Sequence, residues 1–160
     1  MKILVAGIGN VLLGDDGFGV EVAQRLATTP MPEGVRVVDF GIRGMDLAYA
    51  ILDGYDAVIL LDVARRGRPP GTLSVIEPLA APSPATGPDT HGMHPARAMA
   101  LVEAMGGTVA TMRLVACEPG VIDDETLVMG LSEAVAAAVE PAATLVQSLV
   151  SELGSGGCHA

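Results

Sequence analysis

The sequence predicts an α/β fold: a three-layer α/β/α sandwich around a twisted, mostly parallel five-stranded sheet in which one strand runs antiparallel. Three observations lead there. Short apolar runs alternate with segments of helical periodicity along 160 residues, a length suited to one domain with a continuous core. Hydrophobic residues make up 50% and charged residues only 18%, which excludes a disordered, charge-dominated chain. Two neighbouring strand-like runs are joined by a Pro/Gly turn too short for a crossover helix, so that pair is expected to be antiparallel.

Lys2 to Ile8 is a short apolar strand. Gly7, Gly9 and Gly14 then loosen the chain into a shaped loop. Apolar spacing resumes over Gly17 to Leu26, where Val20, Ala23 and Ala27 give a helix its buried stripe before Pro30 and Pro32 end it. Val35 to Phe40 forms a second strand, and GIRGMDLAYAIL turns into a short helix through Met45, Leu47, Ala48 and Leu52. AVILLDV, Ala57 to Val63, is the clearest strand, and its unbroken branched-apolar character suits burial on both faces. GTLSVIEP, Gly71 to Pro78, follows across the short turn. Ala81 to Gly92 is a loop rich in Pro, Gly and Thr. Pro95 then suits the first turn of a helix with Met99, Leu101, Val102 and Met105 on its apolar side. Thr111 to Cys117 is the last strand, and Ser132 caps a terminal helix carrying Val135, Val139, Ala142, Leu145, Val146 and Leu149. Pro141 lacks an amide donor and should bend or split that helix. Residues 1–152 read as a single domain and 153–160 as a flexible tail.

Nine basic against nineteen acidic side chains, a formal charge of -10, argue against nonspecific nucleic-acid or anionic-membrane binding. The first residues reach glycines before any signal-like cleavage region and no stretch reads as membrane-spanning, so the cytoplasm is the expected compartment. Cys117 and Cys158 are too few and too far apart for a disulfide framework or a zinc ribbon. Gly7 and Gly9 open a GxGxxG pattern whose third position is Leu12, and Asp15 and Asp16 would repel a phosphate at the helix start. A dinucleotide site is therefore disfavoured. No GxSxG elbow offers a serine nucleophile. Cys117, beside Glu118, reads as a buried structural thiol in preference to a nucleophile.

In open α/β folds, ligands meet the loops at the carboxyl ends of the strands. Asp15 and Asp16 follow the first strand, Asp62 stands at the end of the third, and His91 lies in the long loop. If the first and third strands are neighbours, Asp16 and Asp62 can face one crevice with His91 folded over it. Two carboxylates and an imidazole suit nickel, zinc, iron or manganese, with positions left for water or substrate. The residues alone leave a plainer alternative standing: Asp15 and Asp16 cap the following helix, where negative charge is favoured, Asp62 merely ends a strand, and His91 is an ordinary loop residue.

GIGNVLLGDDGFGV (Gly7 to Val20), DFGIRG (Asp39 to Gly44), DAVILLDVA (Asp56 to Ala64), HGMHP (His91 to Pro95), CEPG and LSEAV occur in this order over nearly the whole chain. Together they resemble the hydrogenase maturation endopeptidases, which remove a C-terminal extension from the large-subunit precursor of nickel-iron hydrogenases. The resemblance implies a nickel-dependent peptidase, classed as aspartic-type, whose Asp16, Asp62 and His91 are both the catalytic and the metal-contacting residues. The nickel is implied to be held mainly by the precursor, which is the expected partner, with no nucleic acid and no membrane insertion. Asp16 stands where some relatives carry Glu, and Ile42 where the family often has Thr. His94 is the competitor of His91 for the ligand role, while Asp15, Asp39 and Glu118 are left for positioning or peptide contacts. A noncatalytic metallochaperone or precursor-binding module would use the same three residues, whereas no motif supports a small-molecule hydrolase. Self-association is left open, since apolar helices can simply pack the core.

Overall fold

A computed structural model describes residues 1–77, 95–108, 111–120, 122 and 127–156. Its strands are Ile3–Ile8 (β1), Val35–Gly41 (β2), Ala57–Val63 (β3), Leu73–Ile76 (β4) and Thr111–Cys117 (β5). They form one sheet in the order β2-β1-β3-β5-β4. The pairs β1–β2, β1–β3 and β3–β5 are parallel, and β4 runs antiparallel to β5. The expected antiparallel strand is thus β4, shorter than the Gly71 to Pro78 run that suggested it.

Among the described residues, four α-helices cover the sheet: Phe18–Ala27 (α1), Gly44–Leu52 (α2), Pro95–Ala104 (α3) and Glu133–Gly156 (α4). The period-2 alternation of strand side chains decides which helix meets which residue. Ile3 and Val5 of β1 and Ile59 and Leu61 of β3 join a core with Phe18, Val22 and Leu26 of α1 and Val135, Val146 and Leu149 of α4. Leu4, Ala6 and Ile8, with Val58 and Leu60, point the other way, into a core with Leu47 and Ile51 of α2 and Val102 of α3. Because β1 and β3 are covered on both sides, every residue of β1 is buried, as is every residue of β3 except the last. That is why both read as unbroken apolar runs.

Several local expectations need correction. The buried stripe of α1 is Phe18, Val20, Val22, Ala23 and Leu26, while Ala27 is exposed. Clamped between sheet and α4, the helix buries a wider face than a single stripe. Pro141 does not split α4, which continues through it. The ring is exposed, as is Ala137, whose carbonyl loses its helical donor to the proline and is left to water. The helix reaches Gly156, so the first residues of the segment read as a tail are helical. At 24 residues and mean hydropathy 1.4, α4 is long and apolar enough to cross a membrane, although no stretch of the sequence had suggested one. Its apolar residues instead form the stripe that packs on α1, with Glu140, Gln147, Ser148 and Glu152 on the exposed side.

Candidate functional site at the carboxyl ends of β1 and β3

From β1 the chain passes through α1 to β2 on one side, and from β2 through α2 to β3 on the other. The carboxyl ends of β1 and β3 therefore flank a topological switch point, the place where open α/β sheets present a crevice. Gly7 of β1 is level with Leu61 of β3, which puts Asp62 beside the start of the loop that leaves β1.

That loop is drawn tightly onto the strand ends because glycines leave the room. A Cβ on Gly19 would lie 2.7 Å from the carbonyl carbon of Leu61 and closer still to the oxygens of Leu61 and Ile8. A Cβ on Gly7 would meet the Ala23 methyl at 2.6 Å, and one on Gly17 would meet the Val11 Cα at 3.1 Å. Gly9 adopts φ +139 with the Asp16 carbonyl against it, a conformation and a contact that only glycine accommodates. These glycines do not loosen the chain, as the sequence suggested; they let backbone approach backbone. The 3-10 turn Gly14–Gly17, wholly buried, consequently lies against β3 and carries Asp15 and Asp16 there.

The two aspartates do different things. Asp16 is 7% exposed, and its Oδ2 accepts the Asn10 amide at 2.8 Å, closing the loop on itself. Asp62 is 8% exposed, and its Oδ1 accepts the Val63 amide at 2.8 Å. Asp15 is fully enclosed and its carboxylate reaches across the molecule. It accepts the Gly120 amide at 2.8 Å, the Ser132 amide at 2.6 Å and the Ser132 hydroxyl at 2.9 Å. The capping alternative is therefore half right about chemistry and wrong about place: Asp15 sits at the N-terminus of α4, not of α1. Ser132 holds the expected cap position, since its carbonyl accepts the Ala136 amide at 2.8 Å, but its hydroxyl turns to Asp15.

The remaining polar candidates hold main-chain turns. Glu118 is buried, accepts the Arg66 amide at 2.8 Å through its carboxylate, and exchanges main-chain bonds with Gly71 and Thr72, so it anchors the β3–β4 turn. Asp39 accepts the Gly41 amide at 2.9 Å, shaping a turn in which Gly41 has φ +55 and its carbonyl accepts the Gly9 amide at 3.0 Å. DFGIRG thus braces the loop after β1. Burial, with the negative charges of Asp15 and Glu118, pushes the Cys117 thiol up from 9.0 to about 11, against a Gly71 backbone hydrogen bond that favours the thiolate. It stays protonated at neutral pH, which suits the structural role expected of it.

Part of the surface at this end of the sheet is apolar. Val11, Leu12, Ile42, Met45, Leu127 and Met129 are all exposed. Main-chain bonds stitch the 127–129 segment to the loop after β1: the Gly14 amide reaches the Val128 carbonyl at 2.7 Å and the Val128 amide reaches that of Leu12 at 3.0 Å. His91, His94, Cys158 and His159 lie outside the described residues, so the expectation of a histidine folding over the crevice is not addressed there. Among the described residues, no group of three or more His, Cys, Asp and Glu side chains is arranged to hold a metal ion.

The links of Asp15 to Gly120 and Ser132 and of Glu118 to Arg66 escaped sequence reasoning. They join residues 105, 117 and 52 positions apart, and no local pattern marks such pairings. The one local hint is Ser132, a small polar residue ahead of α4, whose place in the sequence signals a cap and not a tie to Asp15.

Comparison with known proteins gives a consistent family. The model of a family described as hydrogenase maturation protease matches residues 20–149, a span that takes in Asp62 and His91 and begins just after Asp16. The hydrogenase expression/formation protein HupD of Rhodobacter capsulatus is 34% identical over 127 residues, covering 77% of this chain and 60% of the relative. HupM, the hydrogenase expression/formation protein of Azotobacter chroococcum, is 31% identical over 157 residues, covering 96% of this chain and 73% of that one. The chain thus spans between three fifths and three quarters of the length of these relatives. Among solved structures, the hydrogenase maturating endopeptidase HybD of E. coli superposes with a TM-score of 0.77 at 26% identity, covering 96% of this chain and 94% of HybD. The [NiFe] hydrogenase maturation protease HycI of Thermococcus kodakarensis does so with 0.72 at 26% identity, covering 94% and 92%.

Proposed function

Because the chain belongs to the hydrogenase maturation protease family, we propose that it is an endopeptidase that removes the C-terminal extension from the large-subunit precursor of a nickel-iron hydrogenase once nickel has been inserted. The observation that carries the reading is the pair of nearly buried carboxylates at the ends of adjacent strands by the switch point, Asp62 on β3 and Asp16 on the glycine-packed turn after β1. Homology supplies the peptidase class, and the apolar part of the surface at this end of the sheet fits a polypeptide better than a small polar molecule.

In this reading nickel arrives as cargo of the precursor. Asp16 and Asp62 contribute carboxylate oxygens to it, and His91 contributes an imidazole on the strength of the family motif. Oxygen and imidazole donors suit a divalent first-row ion, and so short a donor set leaves positions for the ligands the precursor already provides. The metal contact then reports that insertion is complete. A carboxylate at this position also serves as base toward the attacking water, and the aspartic-type classification rests on that role. The alternative route, polarisation of the scissile carbonyl by the metal, leaves Asp16 only a binding part.

The test is mass spectrometry of nickel-loaded precursor incubated with the protein, beside nickel-free precursor and the variants Asp16→Asn and Asp62→Asn. Loss of one C-terminal peptide is expected only with nickel and both carboxylates, and each variant should slow it by about 100-fold or more. An intact precursor, despite loaded nickel and folded protein, would leave a noncatalytic precursor-binding module in its place.

A further inference from the structure

The turn between β3 and β4 carries Arg65, Arg66 and Arg68, three of the nine basic residues in a chain of net charge -10. All three are exposed. Arg25 pairs with Glu140, Arg43 with Asp46 and Arg113 with Glu77 and Glu152, whereas no carboxylate side chain among the described residues pairs with these three. The turn leaves the carboxyl end of β3 after Val63, one residue beyond Asp62, so it stands at the same end of the sheet as the site.

It is also held still. The Arg66 amide donates to the buried carboxylate of Glu118 at 2.8 Å, and the Ala64 amide to the Cys117 carbonyl at 3.1 Å. The Gly71 amide donates to the Glu118 carbonyl and the Glu118 amide to that of Thr72, both at 2.9 Å. Pro69 and Pro70 stiffen the far side, where the Thr72 hydroxyl donates to the Pro69 carbonyl at 2.7 Å. A merely solvated run of charge needs no such anchoring. The chain as a whole is acidic, so an anchored cationic turn beside the site favours that place for an acidic segment.

We propose that Arg65, Arg66 and Arg68 form a docking turn for an acidic stretch of the polypeptide substrate next to the bond that is cut. The inference rests on the peptidase reading and adds the charge of the substrate to it. Chain geometry sets the register. Three to six residues separate Asp62 from these arginines, a reach of at most about 11 to 21 Å, so the acidic residues fall within about six positions of the scissile bond in an extended segment.

The experiment measures KM and kcat for nickel-loaded precursor with wild type, the triple variant Arg65→Glu/Arg66→Glu/Arg68→Glu, and Arg36→Glu as an equally exposed reversal at the start of β2, the opposite end of the sheet. Arg66 is tethered through its main-chain amide, so reversing the side chains leaves the turn in place; an unchanged thermal melt checks this. The triple variant should raise KM about tenfold or more with kcat nearly unchanged, should lose most of the salt dependence of KM, and should be rescued by a precursor whose nearby acidic residues are changed to Lys. Arg36→Glu should do none of this. Equal KM for wild type and the triple variant at low salt would overturn the proposal, as would a single-stranded oligonucleotide competing as well as a polyglutamate peptide. Should wild type cleave nothing, the peptidase reading falls, and fluorescence anisotropy of labelled precursor still decides whether the arginines hold it.

Discussion

Replacing Gly19 by Ala should cost this protein both stability and site geometry, although alanine is the better helix former. In an unencumbered helix the change is worth roughly 0.5–1 kcal/mol in favour of alanine. Here the new Cβ would lie 2.7 Å from the Leu61 carbonyl carbon, where about 3.5 Å is comfortable. The obstacles are main-chain carbonyls of the two central strands, which cannot rotate aside, and their oxygens lie closer to the new Cβ than that carbon does, so α1 must lift by about 1 Å or more. Overpacking of this kind costs about 1–3 kcal/mol, and backbone obstacles put it at the upper end, leaving a net loss of about 2 kcal/mol. The same displacement moves Asp16 relative to Asp62, and misplacement near 1 Å costs about 100-fold in rate. Urea unfolding followed by far-ultraviolet circular dichroism measures the first effect and precursor cleavage the second. Gly154→Ala is the matched control: that glycine lies in α4 with nothing within 4 Å of a Cβ, so the same substitution should stabilise. A Gly19→Ala protein as stable and active as wild type would refute the close-packing account of the glycine motif.

Asp15 and Asp16 should separate by the kind of damage they cause. Asp15→Ala removes the acceptor of three hydrogen bonds and strands the Gly120 and Ser132 amides, so a loss of about 3 kcal/mol is expected in thermal or urea unfolding. Ser132→Ala, which deletes only the hydroxyl, should cost about 1 kcal/mol, and a double-mutant cycle should show the two to be coupled. Asp16→Asn should spare the fold and remove activity; an unfolded Asp16→Asn protein would contradict that division. The Cys117 thiol, pushed up from 9.0 to about 11, favours the folded state while protonated. Its contribution is therefore intact below pH 9 and drains as pH rises toward 11, by about 3 kcal/mol in all. In a Cys158→Ser background, iodoacetamide should react slowly with the native protein at pH 8, and the alkaline loss of stability should flatten in Cys117→Ala. Alkylation at the rate of a free thiol would rule out the buried, protonated state.

The strands were legible because burial on both faces imposes a composition that can be read locally. AVILLDV at Ala57–Val63 and TMRLVAC at Thr111–Cys117 coincide with β3 and β5. The antiparallel placing of β4 was legible too, from the length of the turn alone. The width of the buried face of α1 was not, since Phe18, Val22 and Leu26 are buried between the sheet and α4, which local periodicity does not reveal. Pro141 misled for a related reason: packing by Ala138, Ala142, Ala143 and Val146 holds α4 together across a missing hydrogen bond.

The sequence by itself determined the order of the elements and the fold class, and it marked Asp16 and Asp62 as candidates whose pairing waited on the strand order; the sheet supplied that order and set the loop after β1 beside the end of β3. Only the tertiary structure decided what the neighbours of those carboxylates do. Asp15 became a tie to α4, Glu118 an anchor for the arginine turn, and Gly7, Gly9 and Gly19 the points where backbones meet. The physical reason is range. Periodicity and turn chemistry act within a few residues and leave a readable pattern, whereas a buried carboxylate takes whichever amide the packed chain brings to it, however far away in sequence that amide lies.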